Sequence, residues 1–309
     1  MKKFQNSIFI AILAVIIFIG FNSCKKTNDN VESMKSIVEI VTTTPKFSTL
    51  AAALTKAGLV NTINQSPALT VFAPTNDAFN ALFAQLKVSG LNDLSAETLK
   101  PILLYHVLGS KVTSSQITPG YVYTLSPGLG AKNLVILLST QGGVKINKGT
   151  SVTQADMMAT NGVIHVIDKV LLPNSVVDIA SNNDNFSTLV AALVKADLVN
   201  TLSGSGPFTI FAPTNDAFQE LFTLLKVSGI NDLTKEQLTP ILLYHVVSGN
   251  ILSSNLSSGN VTTLNPATIS IMVGTAVTIN SNTTVTAVDV QGTNGVIHVI
   301  NKVLLPPAK

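Results

Sequence analysis

Hydrophobic and polar positions along this chain alternate between helical and strand periods. From Phe47 to Val60, Leu50, Ala53, Leu54 and Ala57 recur at helical spacing, with Gly58 near the end. Leu69-Thr70-Val71-Phe72-Ala73 is a short apolar run stopped by Pro74, which predicts a strand. Phe79, Leu82, Phe83 and Leu86 then fall at i, i+3, i+4 and i+7, one face of an amphipathic helix. Thr75 stands at the N-cap of that helix, and Asp77 sits in its first turn, where a carboxylate suits the helix dipole. Ser33 to Val41 and Ser175 to Ala180 predict a short opening helix in each half of the chain. Ser95 and Thr234 open a further helix, Thr234 with Gln237 as a capping box. It runs towards Leu104, with Pro101 expected to break or kink it. After Tyr105 and His106 the pattern turns to β: Leu134 to Leu138, Val144 to Ile146 and Val163 to Ile167 lie between Gly, Ser and Asn turns. Helices followed by strands predict an α+β domain.

The pattern occurs twice. Phe72-Ala73-Pro74-Thr75-Asn76-Asp77-Ala78-Phe79 returns unchanged from Phe211 to Phe218, 139 residues later, and Phe218, Leu221, Phe222 and Leu225 repeat the helix face. Pro101 to Val107 returns as Pro240 to Val246, again without a gap. The closing anchor, Asn161-Gly162-Val163-Ile164-His165-Val166-Ile167, returns from Asn294 to Ile300 at a spacing of 133. The second copy is therefore six residues shorter between Val107 and Asn161, and a loop or strand connection is the expected place for the loss. Each copy is long enough to bury its own core. The short linker Leu172-Pro173-Asn174-Ser175 implies that the two domains abut.

Composition narrows the function. Hydrophobic residues make up 46% of the 309-residue chain and charged residues 11%, low for a free cytosolic enzyme. The formal charge is only +3, every basic residue is Lys, and there is no Trp. The missing Arg forks and basic stripe argue against nucleic acid as a partner. At the N-terminus, Lys2 and Lys3 precede an unbroken apolar run from Ile8 to Phe21. That is the length of a signal h-region and shorter than the roughly 20 residues a spanning helix needs. Ser23 then precedes Cys24, the one cysteine in the chain, an arrangement that resembles a bacterial lipobox. Cys24 is thus the expected lipidation site, and ordinary cleavage leaving a free thiol is the other reading. A lone cysteine allows no intrachain disulfide. The resulting division is residues 1–23 as a lipoprotein-type signal peptide, 24–32 as a tether, 33–173 as the first domain and 174–309 as the second.

The octapeptide, then Leu103-Leu104-Tyr105-His106-Val107, then the Asn161 to Ile167 anchor, in that order and twice over, resemble the fasciclin (FAS1) domain. The resemblance covers nearly everything after residue 33. It implies two tandem domains, each a β-sandwich wedge with helices packed on it, in an extracellular or surface-anchored protein linked to adhesion. It also implies an interaction role for Tyr105, His106, Tyr244 and His245, and for Asp156 and Asp289, which stand where animal members carry an Asp-Ile motif. Taken by their own residues, the Tyr-His pairs lie in apolar runs, where core packing is the stronger reading. Thr75, Asn76 and Asp77, with Thr214, Asn215 and Asp216, are expected to cap a helix, and His165 and His298 to be buried structural residues.

No Gly-x-Ser-x-Gly elbow, His-Glu-x-x-His helix or phosphate-binding glycine loop is present, and no catalytic residue, cofactor or metal site is expected. The overall expectation is a lipid-anchored outer-membrane protein, on the cell surface or the periplasmic face, that engages a surface or matrix protein or polysaccharide. A polysaccharide- or small-ligand-binding component of an envelope complex is the alternative. The oligomeric state stays open.

Overall fold

The computed structural model describes residues 34–307, so the signal, tether and Cys24 readings lie outside the described residues. The first domain opens with α1 (Ile37–Thr43), α2 (Ser48–Lys56) and α3 (Val60–Gln65), followed by β1 (Leu69–Pro74), α4 (Asn76–Leu86) and α5 (Ala96–Tyr105). Then come β2 (Val107–Leu108), β3 (Gly120–Pro127), β4 (Asn133–Ser139), β5 (Lys145–Ile146), β6 (Thr150–Ala159) and β7 (Gly162–Ile167). The second domain repeats the order with α6 (Val176–Ser181), α7 (Ser187–Lys195), α8 (Val199–Ser203), β8 (Phe208–Pro213), α9 (Asn215–Leu225) and α10 (Lys235–Tyr244). It closes with β9 (Val246–Ser248), β10 (Gly259–Thr262), β11 (Thr268–Val273), β12 (Val277–Ile279), β13 (Thr283–Gly292) and β14 (Gly295–Ile300).

Each domain has one seven-stranded sheet, ordered β2-β1-β7-β6-β5-β4-β3 in the first and β10-β11-β12-β13-β14-β8-β9 in the second. The octapeptide strand and the closing anchor pair in parallel, Leu69 opposite Gly162 through Pro74 opposite Ile167, and the other pairs are antiparallel. Both faces of β1 and β7 are buried, which is why they read as continuous apolar runs. Val71, Ala73, Ile164 and Val166 face the helices, packing with Phe47, Leu50, Phe79 and Leu103. Phe72 and Ile167 face the other way, onto Ile136, Leu138 and Ile146 from the far end of the same sheet. The sheet doubles back through register shifts in β6 around Gln154 and Met157, where Asp156 takes φ 60°. The α+β sandwich with packed helices is the fold the sequence implied.

Local chemistry follows the sequence closely. Thr75 caps α4 by accepting from the Ala78 amide at 3.3 Å, and Thr234 and Gln237 form their capping box. Helix α5, in contrast, runs unbroken through Pro101. The carbonyl left without its helical N–H belongs to Glu97, in the exposed first turn, where water can bond it. Phe79 and Phe83 bring their rings to 6.0 Å on the buried face of α4, and Phe218 and Phe222 to 6.1 Å on that of α9. Each buried Phe contributes roughly 1.5–3 kcal/mol. The six-residue difference falls where β3 turns into β4: residues 126–133 stand there in the first copy, and only 265 and 266 in the second.

Candidate functional site

The residues that both copies share are spent on the fold. Asn76 accepts from the Thr49 amide at 3.0 Å and donates to the Pro45 carbonyl and the Ser48 hydroxyl, both at 3.0 Å, tying α4 to the start of α2. Asn215 does the same with Thr188 and Asp184. Thr214 caps α9, while Asp77 and Asp216 stand exposed in their first helical turns.

Tyr105 and Tyr244 are buried, and their hydroxyls donate to the carbonyls of Val135 at 2.7 Å and Thr268 at 2.8 Å. Burial pushes the Tyr105 phenol up to about 12. His106 donates from Nδ1 to the Ile102 carbonyl and accepts the Leu171 amide at Nε2, at 2.8 and 2.9 Å. His245 repeats this with Ile241 and Leu304. Burial pulls both imidazoles down to about 4, so they are neutral at pH 7. His165 and His298 carry the proton on the other nitrogen: Nδ1 accepts the amides of Asp156 and Asp289, and Nε2 donates to the carbonyls of Val112 and Ile251. These tautomers follow from the partners. In all four rings both nitrogens are engaged.

Asp156 and Asp289 pin the loop after the sheet-edge strand to the bulge. Asp156 accepts from the Ser114 amide at 2.8 Å and from its hydroxyl, which hold its carboxyl below the ordinary range. Asp289 accepts from the Ser253 amide and hydroxyl at 2.7 and 2.6 Å. Burial works against its ionisation, yet those bonds, His298 and Lys132 bring the net shift downward. Among the described residues no group of three or more His, Cys, Asp or Glu is placed to hold a metal ion.

Lys132 belongs to the first domain, and it marks the seam between the two. The 126–133 hairpin and strands β3 and β4 lie against β13 and the turn after α6. Val135 is buried in one apolar cluster with Phe186, Val290 and Val299 of the second domain. Tyr123 Oη donates to the Asp289 carbonyl at 3.1 Å, and Lys132 Nζ lies 3.4 Å from Asp289 Oδ2 and 5.2 Å from the Tyr123 ring centre. Asn183 Nδ2 donates to Tyr121 Oη at 2.8 Å, and Gln291, fully buried, donates to Asn250 Oδ1 at 3.0 Å. At Gly128 the backbones close in: a Cβ there would stand 2.7 Å from the Lys132 carbonyl oxygen and 2.8 Å from Gln291 Cγ. Beside the seam opens a cleft of about 770 Å³, walled by β3, β4 and β5 on one side and by residues 182–186 with Thr214, Thr286 and Val299 on the other.

The Fasciclin domain family matches residues 45–173 and 184–306. The chain belongs to the fasciclin family. A fasciclin-domain pair from the insect cell adhesion molecule Fasciclin I superposes with a TM-score of 0.52 at 20% identity, over 84% of this chain and 97% of that one, a likeness of fold. Protein sll1483 of Synechocystis is 45% identical over 133 residues, 43% of this chain and 74% of that protein. Porcine transforming growth factor-beta-induced protein ig-h3 is 32% identical and human periostin 30%, each over 77% of this chain. The chain spans about a third of the length of those two animal relatives, 34% and 28%.

Within this fasciclin pair, the structure places Tyr105, His106, Tyr244 and His245 in the interior, out of a partner's reach, and Asp156 and Asp289 inside hydrogen-bonded loops. None of the six is brought together with another into a surface patch. The residues that line the seam and the cleft, Tyr121, Tyr123, Lys132, Asn183 and Gln291, were not singled out from the sequence. Their signal lay in the differences between the copies: the hairpin turn that meets the second domain is the one that is shorter in the second copy.

Proposed function

We propose that this protein is a non-enzymatic adhesion or matrix-interaction module of the cell envelope, carried on a lipid at Cys24 and built from two fasciclin domains. The observation that carries the reading is the seam. Val135, Tyr121 and Tyr123 of the first domain dock on the second, so a partner meets one two-domain surface. The family's occurrence in an insect cell adhesion molecule supports the same reading. Engagement of all eight histidine ring nitrogens supports the non-enzymatic part, because each bonds a backbone N–H or C=O and none faces a side chain with which to exchange a proton. The lipobox-like Ser23-Cys24 and the preceding apolar run support export and anchoring in the outer membrane, on either face.

Retention of the full chain on intact cells and on extracted envelope matrix tests the adhesion reading, which saturable retention supports and its absence refutes. Fractionation of Cys24→Ala tests the anchor: the substitution is expected to move the protein out of the membrane fraction and to abolish fatty-acid labelling. A variant that stays labelled and membrane-bound refutes it.

A further inference from the structure

The duplication supplies an internal control for the cleft beside the seam. Residues that a fasciclin domain needs to fold are the same in both copies, as Asn76 and Asn215 are. Much of the polar lining of the cleft is not. Tyr121, Ser139, Gln141 and Lys145 occupy positions where the second copy has Asn260, Met272, Gly274 and Thr278. On the opposite wall, Asn182 and Asn183 stand where the first copy has Thr43 and Thr44. Tyr121 and Asn183 bond each other across the seam, whereas the side chains of Ser139, Gln141, Lys145 and Asn182 make no hydrogen bond among the described residues and are not needed for either copy to fold.

We propose that the cleft binds an acidic oligosaccharide, a short chain of uronic-acid sugars. The inference rests on the matrix-interaction reading and names its ligand class and its place. The volume of about 770 Å³ lies within the range of ligand sites, which favour domain interfaces. Amide and hydroxyl side chains dominate the polar lining, and an amide offers a donor beside an acceptor, the match for vicinal ring hydroxyls. Pro119, Leu137 and Ala287 supply apolar wall for the C–H faces of the sugars. Lys148 is paired with Asp184, whereas Lys145, half-buried in the same wall, forms no ion pair among the described residues. A lysine presents a point charge suited to one carboxylate.

The test is calorimetric titration of the full chain, held in mild detergent, with hexagalacturonate, neutral maltohexaose and hexaglutamate peptide. Saturable binding of hexagalacturonate is expected, about tenfold weaker in Lys145→Ala and in Asn182→Ala. Thermal midpoints should not move, because neither side chain bonds anything else in the fold. Maltohexaose should bind more weakly than the uronate and be indifferent to Lys145→Ala. Absence of hexagalacturonate binding overturns the proposal, as does equal binding by both variants. Hexaglutamate binding as tightly would assign the cleft to acidic peptides and overturn the sugar class. Retention on cells distinguishes the two layers. Wild-type retention without hexagalacturonate binding sinks the cleft and leaves adhesion standing, while the reverse result sinks adhesion and leaves the cleft.

Discussion

Acidification should destabilise each domain well before its carboxylates titrate, and His106 and His245 are the cause. Burial holds both rings at about 4, against an ordinary 6.5 in the unfolded chain. Between those values the unfolded chain binds the proton and the folded one does not, so stability falls as pH falls from 6.5 to 4. Above 6.5 both forms are neutral and the contribution is fully present; below about 4 it has been lost. The whole difference is roughly 3 kcal/mol per ring, most of which is gone on moving from pH 7 to 4.5. Asp156 and Asp289, both held below the ordinary carboxylate range, act only at lower pH, which leaves this window to the imidazoles. Urea unfolding followed by circular dichroism at pH 7 and 4.5 reads the effect. At an m-value of about 2 kcal/mol/M, each domain's midpoint should drop by about 1 M. In His106→Gln, the amide oxygen can still accept from Leu171 N–H but takes up no proton. That variant is expected to be less stable at pH 7 and to lose the pH slope of the first domain alone, whereas His245→Gln should remove only part of the second domain's slope, because burial also holds the His298 ring below its ordinary value. If the variants' midpoints fall between pH 7 and 4.5 as far as the wild type's, buried neutral imidazole is not the source of acid sensitivity.

Three further outcomes are expected from the packing. Asn161→Ala removes the acceptor for the Ile37 amide at 2.9 Å and the donor to the Ile63 carbonyl at 2.8 Å, leaving both buried; a loss of roughly 2–4 kcal/mol in urea unfolding is expected, and a loss below 1 kcal/mol would contradict it. Gly128→Val drives its Cβ into the Lys132 carbonyl and Gln291, so the seam should weaken by roughly 1–3 kcal/mol. Small-angle scattering should then show a larger radius of gyration, and an unchanged one would mean that the hairpin does not hold the domains together. Ser126 buries a hydroxyl with no partner among the described residues, so Ser126→Ala should leave stability unchanged or raise it by about 1 kcal/mol, and a clear drop in thermal midpoint would show that the hydroxyl is bonded.

Much of each domain was legible along the chain. The i, i+3, i+4 face of Phe79, Leu82 and Phe83 fixes which side of its helix is buried, and Thr75 and Thr234 mark helix starts by chemistry confined to three or four residues. Pro101 misled as a helix breaker because the solvent exposure of Glu97, which lets the missing bond be made to water, is a property of the folded domain. The histidines were legible only in part. An apolar run such as Ile102 to Val107 shows that His106 is surrounded by hydrophobic neighbours, but its partner at Nε2, the Leu171 amide, lies 65 residues away.

The duplication, the α+β order within each copy, the caps and the family are written along the chain, because each rests on identity between copies or on a period read over a few residues. Tertiary structure alone decided the parallel pairing of the octapeptide strand with the closing anchor, and the burial of the Tyr-His pairs that the family resemblance had offered to a partner. It also decided the seam and its cleft. Tyr123 and Asp289 meet across 166 residues, and no period or local composition encodes a contact between surfaces that only the finished domains bring together.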